Sequence, residues 1–136
     1  MNVEEAKRLL SLHSGRCEDI HDPKWQNGFL GSLRPFSGLN ESNLTEVMEC
    51  LRVLKEELVA PSVDRNIISD IIGMTYLARV WASPDGMLGR NNILTEAQTK
   101  KLLLWVDMIQ ECLMYLLDGD EEDAFFWYNE YLDGRE

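Results

Sequence analysis

Three side chains able to hold a metal ion recur at four-residue steps near the start of the chain: His13, Cys17 and His21. Imidazole nitrogen and thiolate sulfur are natural zinc ligands, and on an unbroken helix this spacing would align all three, with Asp19 or Asp22 as a fourth. Ser14-Gly15 falls between the first two. The helix is therefore expected to break there, leaving His13 on an apolar face as a packed, hydrogen-bonded histidine. A second candidate is the carboxylate pair Asp107 and Glu111, which shares a narrow polar stripe with Asp118 and Lys100. Such a pair can bind a divalent ion or act as acid and base, and its mutual repulsion of about a few tenths of a kcal/mol is something a metal or partner would offset. The plainer expectation is the solvated edge of a mostly buried helix. A third candidate is the connection Asp85–Asn92, where Gly89, Arg90 and Asn91 could offer backbone donors and a guanidinium to an anion. It lacks both the Gly-x-x-x-x-Gly-Lys-Ser/Thr loop and the preceding strand of a nucleotide site, and a helix connector needs no ligand.

Nucleophilic catalysis finds little support. With only two histidines a serine or cysteine has few bases to choose from, and neither a Gly-x-Ser-x-Gly elbow nor a His-Glu-x-x-His pair occurs. The run Asp118-Gly119-Asp120-Glu121-Glu122-Asp123 carries calcium-type ligands out of EF-hand order, and reads as a helix boundary. No catalytic residue and no cofactor are implied, and no motif is specific enough to name a family.

Charge is more informative. The chain carries 24 acidic and 13 basic residues for a net charge of −11. Most of that charge lies beyond Leu117, where eight acids stand against Arg135 alone. This balance disfavours nucleic acid and anionic lipid as partners and favours a basic protein. Within the acidic stretch Asp120, Glu121, Glu122, Asp123 and Glu130 surround Phe126, the one large aromatic there whose helical phase is wrong for a core. Carboxylates would steer a basic partner and Phe126 would anchor it. The competing explanation, a terminal helix that covers the core and keeps the protein soluble, accounts for the charge but not for an outward Phe126.

The elements that must position these groups are helical. Asn2 is placed to cap a first helix that Gly15 stops, with His13 on its apolar face. Leu44, Val47, Met48, Leu51, Leu54 and Leu58 recur at three- and four-residue steps and predict a helix over 41–59, ended by Pro61. A third is expected over 63–82, where Gly73 would permit a close helix approach, and Thr95-x-x-Gln98 resembles a capping box opening a fourth that reaches Asp118. That fourth helix is apolar nearly all round and should be central. A last helix spans 121–132. The connection 14–39 is too long for a structureless loop, and Asp22-Pro23 could open a short turn of helix within it. No strand pattern or repeat is present.

At 136 residues, 45% hydrophobic and 27% charged, the chain fits one all-α domain over 1–136, a bundle of about five helices with Trp25, Trp81, Trp105 and Trp127 in its core. No apolar stretch reaches membrane-spanning length, the start has no signal-peptide pattern, and Cys17, Cys50 and Cys112 are an odd, widely spaced set. A soluble cytoplasmic protein with reduced thiols is expected. Three functions follow in order. The first is a non-enzymatic acidic domain that inhibits or regulates a basic protein, as an immunity protein or antitoxin does. The second is a metal- or small-ligand-binding domain, or an enzyme, using the connections 14–39 and 83–94. The third is a self-associating structural subunit.

Overall fold

Asn2 accepts the Glu5 amide at 2.8 Å and opens α1 (Val3–His13), with Glu4 and Glu5 in the first turn, where the helix dipole favours negative charge. The helix ends in a Schellman motif: Gly15 adopts φ +70°, its N–H donates to Leu12 O at 3.1 Å, and Arg16 N–H donates to Ser11 O at 2.9 Å. The segment that follows holds α2 (Pro23–Asn27), with Asp22 capping the Lys24 amide and Pro23 in the first turn as the sequence implies. Asn40 caps α3 (Glu41–Val53), and Asp64 caps α5 (Arg65–Ala82). Thr95 and Gln98 form the reciprocal capping box that opens α7 (Glu96–Leu117). A second Schellman motif at Gly119 (φ +82°) turns the chain into α8 (Glu121–Gly134), with Asp120 accepting the Asp123 amide.

The computed structural model describes residues 1–134 and contains eight helices and, among those residues, no strand. Five of the helices, α1, α3, α5, α7 and α8, are eleven or more residues long, in line with the bundle expected from periodicity. The remaining three are short. The helix expected over 41–59 is interrupted at Leu54, whose φ of −90° and ψ of 4° separate α3 from α4 (Lys55–Val59). The other connection contains α6 (Met87–Arg90), which buries Leu88 completely.

The apolar helix α7 is central, as its composition implies: it packs on α5 most extensively, then on α8, and also on α3 and α4. Leu44, Met48, Leu51, Ile71, Met74, Val106 and Ile109 are wholly buried along these contacts. Complete burial of such side chains contributes roughly 1.5–3 kcal/mol each. Only Trp105 of the four tryptophans joins the core fully, with its indole N–H donating to Tyr131 Oη at 3.1 Å. Trp81 and Trp127 are half-buried and Trp25 is 37% exposed, because α2 lies on the surface and buries none of its own residues. Gly73 also departs from expectation. A side chain there would meet nothing within 4 Å, so it serves no close approach, and Ile72, Tyr76 and Val80 stand exposed beside it. Among the described residues no helix is long and apolar enough to cross a membrane, and the three cysteines are unpaired thiols.

Candidate functional site

The metal-ligand spacing does not become a metal site. The Gly15 turn sends the chain away from the helix axis, so His13 is fully buried while His21 is exposed beyond the turn. Both nitrogens of His13 are engaged: Nδ1 accepts the Phe29 N–H at 2.9 Å, and Nε2 lies 2.8 Å from Glu46 Oε1. Because Nδ1 accepts, the ring proton sits on Nε2 and is donated to the carboxylate. His13 O also accepts Leu30 N–H at 3.0 Å, so this one residue ties the 28–33 segment to α1 and α3. The hydrogen bond from His13 holds the Glu46 carboxyl below the ordinary range, burial opposes the shift, and Lys24 at 3.1 Å assists it. Cys17 lies 3.8 Å from the Arg8 guanidinium, which pairs with Asp19 and Asp22. Among the described residues no group of three or more His, Cys, Asp or Glu side chains could hold a metal ion.

Around Gly89, Arg90 and Asn91 part of the backbone is already engaged: the amides of Gly86, Arg90, Asn92 and Ile93 donate to Ser83 O, Gly86 O, Gly89 O and Leu88 O. Gly89 is a packing requirement, since a Cβ there would fall 2.0 Å from Ser83 O. Asn91 turns its amide back onto Met87 O at 2.7 Å and closes α6.

The carboxylates separate into compensated and uncompensated groups. Asp107 is paired with Arg79 at 2.8 Å, beside Gln110, Glu111 and Met114 in a shallow depression between α5 and α7. Glu121 is paired with Lys55 at 2.9 Å, and Asp120 is occupied as the cap of α8. Glu122, Asp123 and Glu130 have no cation within ion-pair distance among the described residues. Asp120, by hydrogen bonding and by its charge, pushes the Asp123 carboxyl above the ordinary range, and Glu122 and Glu111 add to the repulsion. The carboxylate stripe of α7 and the N-terminus of α8 thus share one field.

Phe126 stands in that field, 59% exposed, while its neighbours Phe125 and Tyr128 are buried. At helical spacing its companions on the outer face are Glu122 and Glu130 four residues away and Asp123 and Asn129 three away. The neighbouring aromatic turns inward, where Phe125 takes the Arg52 guanidinium 4.1 Å from its ring centroid. Of the residues expected to meet a partner, Glu122, Asp123, Phe126 and Glu130 therefore share one open face. Asp120 and Glu121 lie at its edge with duties of their own.

Two further clefts form where the start of the chain packs on α5; the second is lined in part by the 14–39 connection offered above as a ligand site, though no single residue of it was singled out there as a wall. One, lined by Glu4, Lys7, Arg8, Arg16, Asp64 and Asp70, is polar, and its cations are paired: Lys7 with Asp64 at 3.2 Å, Arg16 with Asp70 at 2.9 Å and Arg8 with Asp19 and Asp22. Burial pushes the Asp70 carboxyl up, against the pull of Arg16. The second, of about 410 Å³, is mostly apolar and lies between the 14–35 segment and α5, with Trp25, Leu30, Leu77 and Trp81 in its walls and Arg34 at its edge. Its members are far apart in sequence and follow no single helical period, so only assembly brings them together. Among the described residues no buried side-chain nitrogen or oxygen lacks a partner, which leaves the surfaces, not the interior, as the places to receive a ligand. Compared with family models, with curated proteins and with solved structures, the chain shows no match.

Proposed function

We propose that this chain is a non-enzymatic protein-binding domain that inhibits or regulates a basic protein, in the manner of an immunity protein or antitoxin, through the outer face of α8. The observation that carries the reading is Phe126: a large aromatic, 59% exposed, on a helix face that it shares with Asn129 and with three carboxylates, Glu122, Asp123 and Glu130, that have no cation partner among the described residues. Exposure of one aromatic is ordinary by itself. Enclosed by unpaired negative charge it has the composition of an anchor within a steering field, in which the carboxylates raise the encounter rate and the ring supplies desolvated contact area. The self-repulsion registered at Asp123 supports the same reading, because a cationic partner would relieve it.

The test uses tagged wild-type protein, Phe126→Ala and the triple variant Glu122→Gln, Asp123→Asn, Glu130→Gln as baits in lysate of the native host, at low and high salt. Wild type is expected to retain a basic protein at low salt and release it at high salt. Both variants are expected to lose it, with loss of the ring alone worth about 2 kcal/mol or more if it is the anchor. Recovery of no basic protein, or equal recovery by all three baits, overturns the proposal.

A further inference from the structure

We propose that the cleft between α2 and α5 is a binding site for a small planar aromatic carboxylate, with Arg34 as the group that receives the carboxylate. The site is independent of the acidic face of α8. Its walls come from separate elements: Trp25 from α2, Leu30 from the segment held by His13, and Leu77 and Trp81 from α5. Its volume of about 410 Å³ falls in the range of small-molecule pockets, and two indoles with two leucines give it the apolar lining that such pockets use to bury a ligand's body.

The anionic part of the ligand is read from Arg34. In a chain with a net charge of −11, nearly every cation near a cleft already has a carboxylate: Lys7, Arg8 and Arg16 in the polar cleft are all paired. Arg34 is exposed and has no carboxylate within ion-pair distance among the described residues; it lies instead over Trp81, 5.8 Å from the ring centroid. That contact leaves the guanidinium able to present paired N–H donors, which match a carboxylate bidentately, at the edge of an apolar space. Charge complementarity therefore selects an anion, and the indoles select a flat ring.

The frame of the site is fixed before any ligand arrives. Phe29 N–H and Leu30 N–H are held by His13, Ser32 N–H donates to Gly28 O at 2.9 Å, and the backbone at Gly31 packs so closely on α2 that a Cβ would lie 2.4 Å from Trp25 O. These bonds immobilise the Leu30 wall and seat α2, and with it Trp25, against the 28–33 segment, so that little ordering is left for a ligand to drive.

The experiment titrates the purified protein with 2-naphthoate and with its neutral counterpart 2-naphthylmethanol, following calorimetry and the two-dimensional amide and indole NMR spectrum. Wild type is expected to bind the acid more tightly than the alcohol by about tenfold or more, the scale of a charge-assisted bidentate contact. Shifts should centre on Gly15, Gly31 and the indole N–H signals of Trp25 and Trp81. Arg34→Gln, a change at an exposed position, should abolish the preference for the acid while keeping the alcohol's affinity and the amide spectrum away from the cleft. Trp81→Ala should weaken both. Equal affinity for acid and alcohol, an acid preference that survives Arg34→Gln, shifts centred elsewhere, or no binding of 2-naphthoate at millimolar concentration would each overturn the assignment.

Discussion

His13 and Glu46 illustrate how a residue suited to chemistry is consumed by structure. Each ring nitrogen of the histidine has a hydrogen-bond partner and the side chain is wholly buried, so its role is to hold the 28–33 segment rather than to exchange protons with a substrate. The carboxylate it serves sets an acid limit. Folding lowers the Glu46 carboxyl from its ordinary value of 4.5, so the stabilisation is complete above that value and is lost as pH falls through the lower folded one. Glu46→Gln should begin less stable than wild type at neutral pH, by about 1 kcal/mol, and lose less between about pH 6 and pH 3 in urea titrations. Asp70 has the opposite sign. Burial raises its carboxyl, so the charged form is disfavoured by folding and Asp70→Asn should be at least as stable as wild type at neutral pH, with any advantage fading in acid. A clear loss of stability would show that the ion pair with Arg16 outweighs desolvation.

At the scale of elements, two glycines in helices have contrary duties and give contrary predictions. Gly73 lies within α5 with open space where a side chain would project, so Gly73→Ala should stabilise the protein by up to about 1 kcal/mol through helix propensity. Gly89 lets α6 close on the end of α5, and a Cβ 2.0 Å from Ser83 O forces backbone apart, so Gly89→Ala should destabilise by roughly 1–3 kcal/mol or more. Thermal unfolding of the two variants measures both; equal effects would mean that the close approach at Gly89 is not a constraint. Neither duty is apparent from the chain alone, where both glycines occur in segments that permit either explanation.

The whole molecule carries its charge asymmetrically, and that has a consequence for stability as well as recognition. A net charge of −11 with Glu122, Asp123 and Glu130 of α8 uncompensated means self-repulsion, which salt screens over a Debye length of about 10 Å at 0.1 M. The melting temperature should rise as sodium chloride is added from a few millimolar to roughly 0.15 M. The triple variant of Glu122, Asp123 and Glu130 should start higher and respond less. A melting temperature that does not change with salt, or the same salt response in the variant, would show that the acids are already compensated within the fold.

Periodicity and caps made the helices legible before assembly. The Thr95/Gln98 box and the Asp22-Pro23 start are local signals, enforced by backbone donors that need partners within a turn or two, and both appear in the structure; the apolar steps of 41–59 appear as two helices, α3 and α4, parted at Leu54. The outward phase of Phe126 was legible for the same reason, since helical phase is fixed by position in the chain. What the sequence could not determine depends on contacts between residues far apart. The bond from His13 to Glu46 spans 33 positions and the cleft joins Trp25 and Arg34 to Trp81. Which tryptophan is buried, which cations are left without a carboxylate and which glycines meet backbone are settled only when the helices pack, because burial and pairing are properties of the assembled surface rather than of any segment of it.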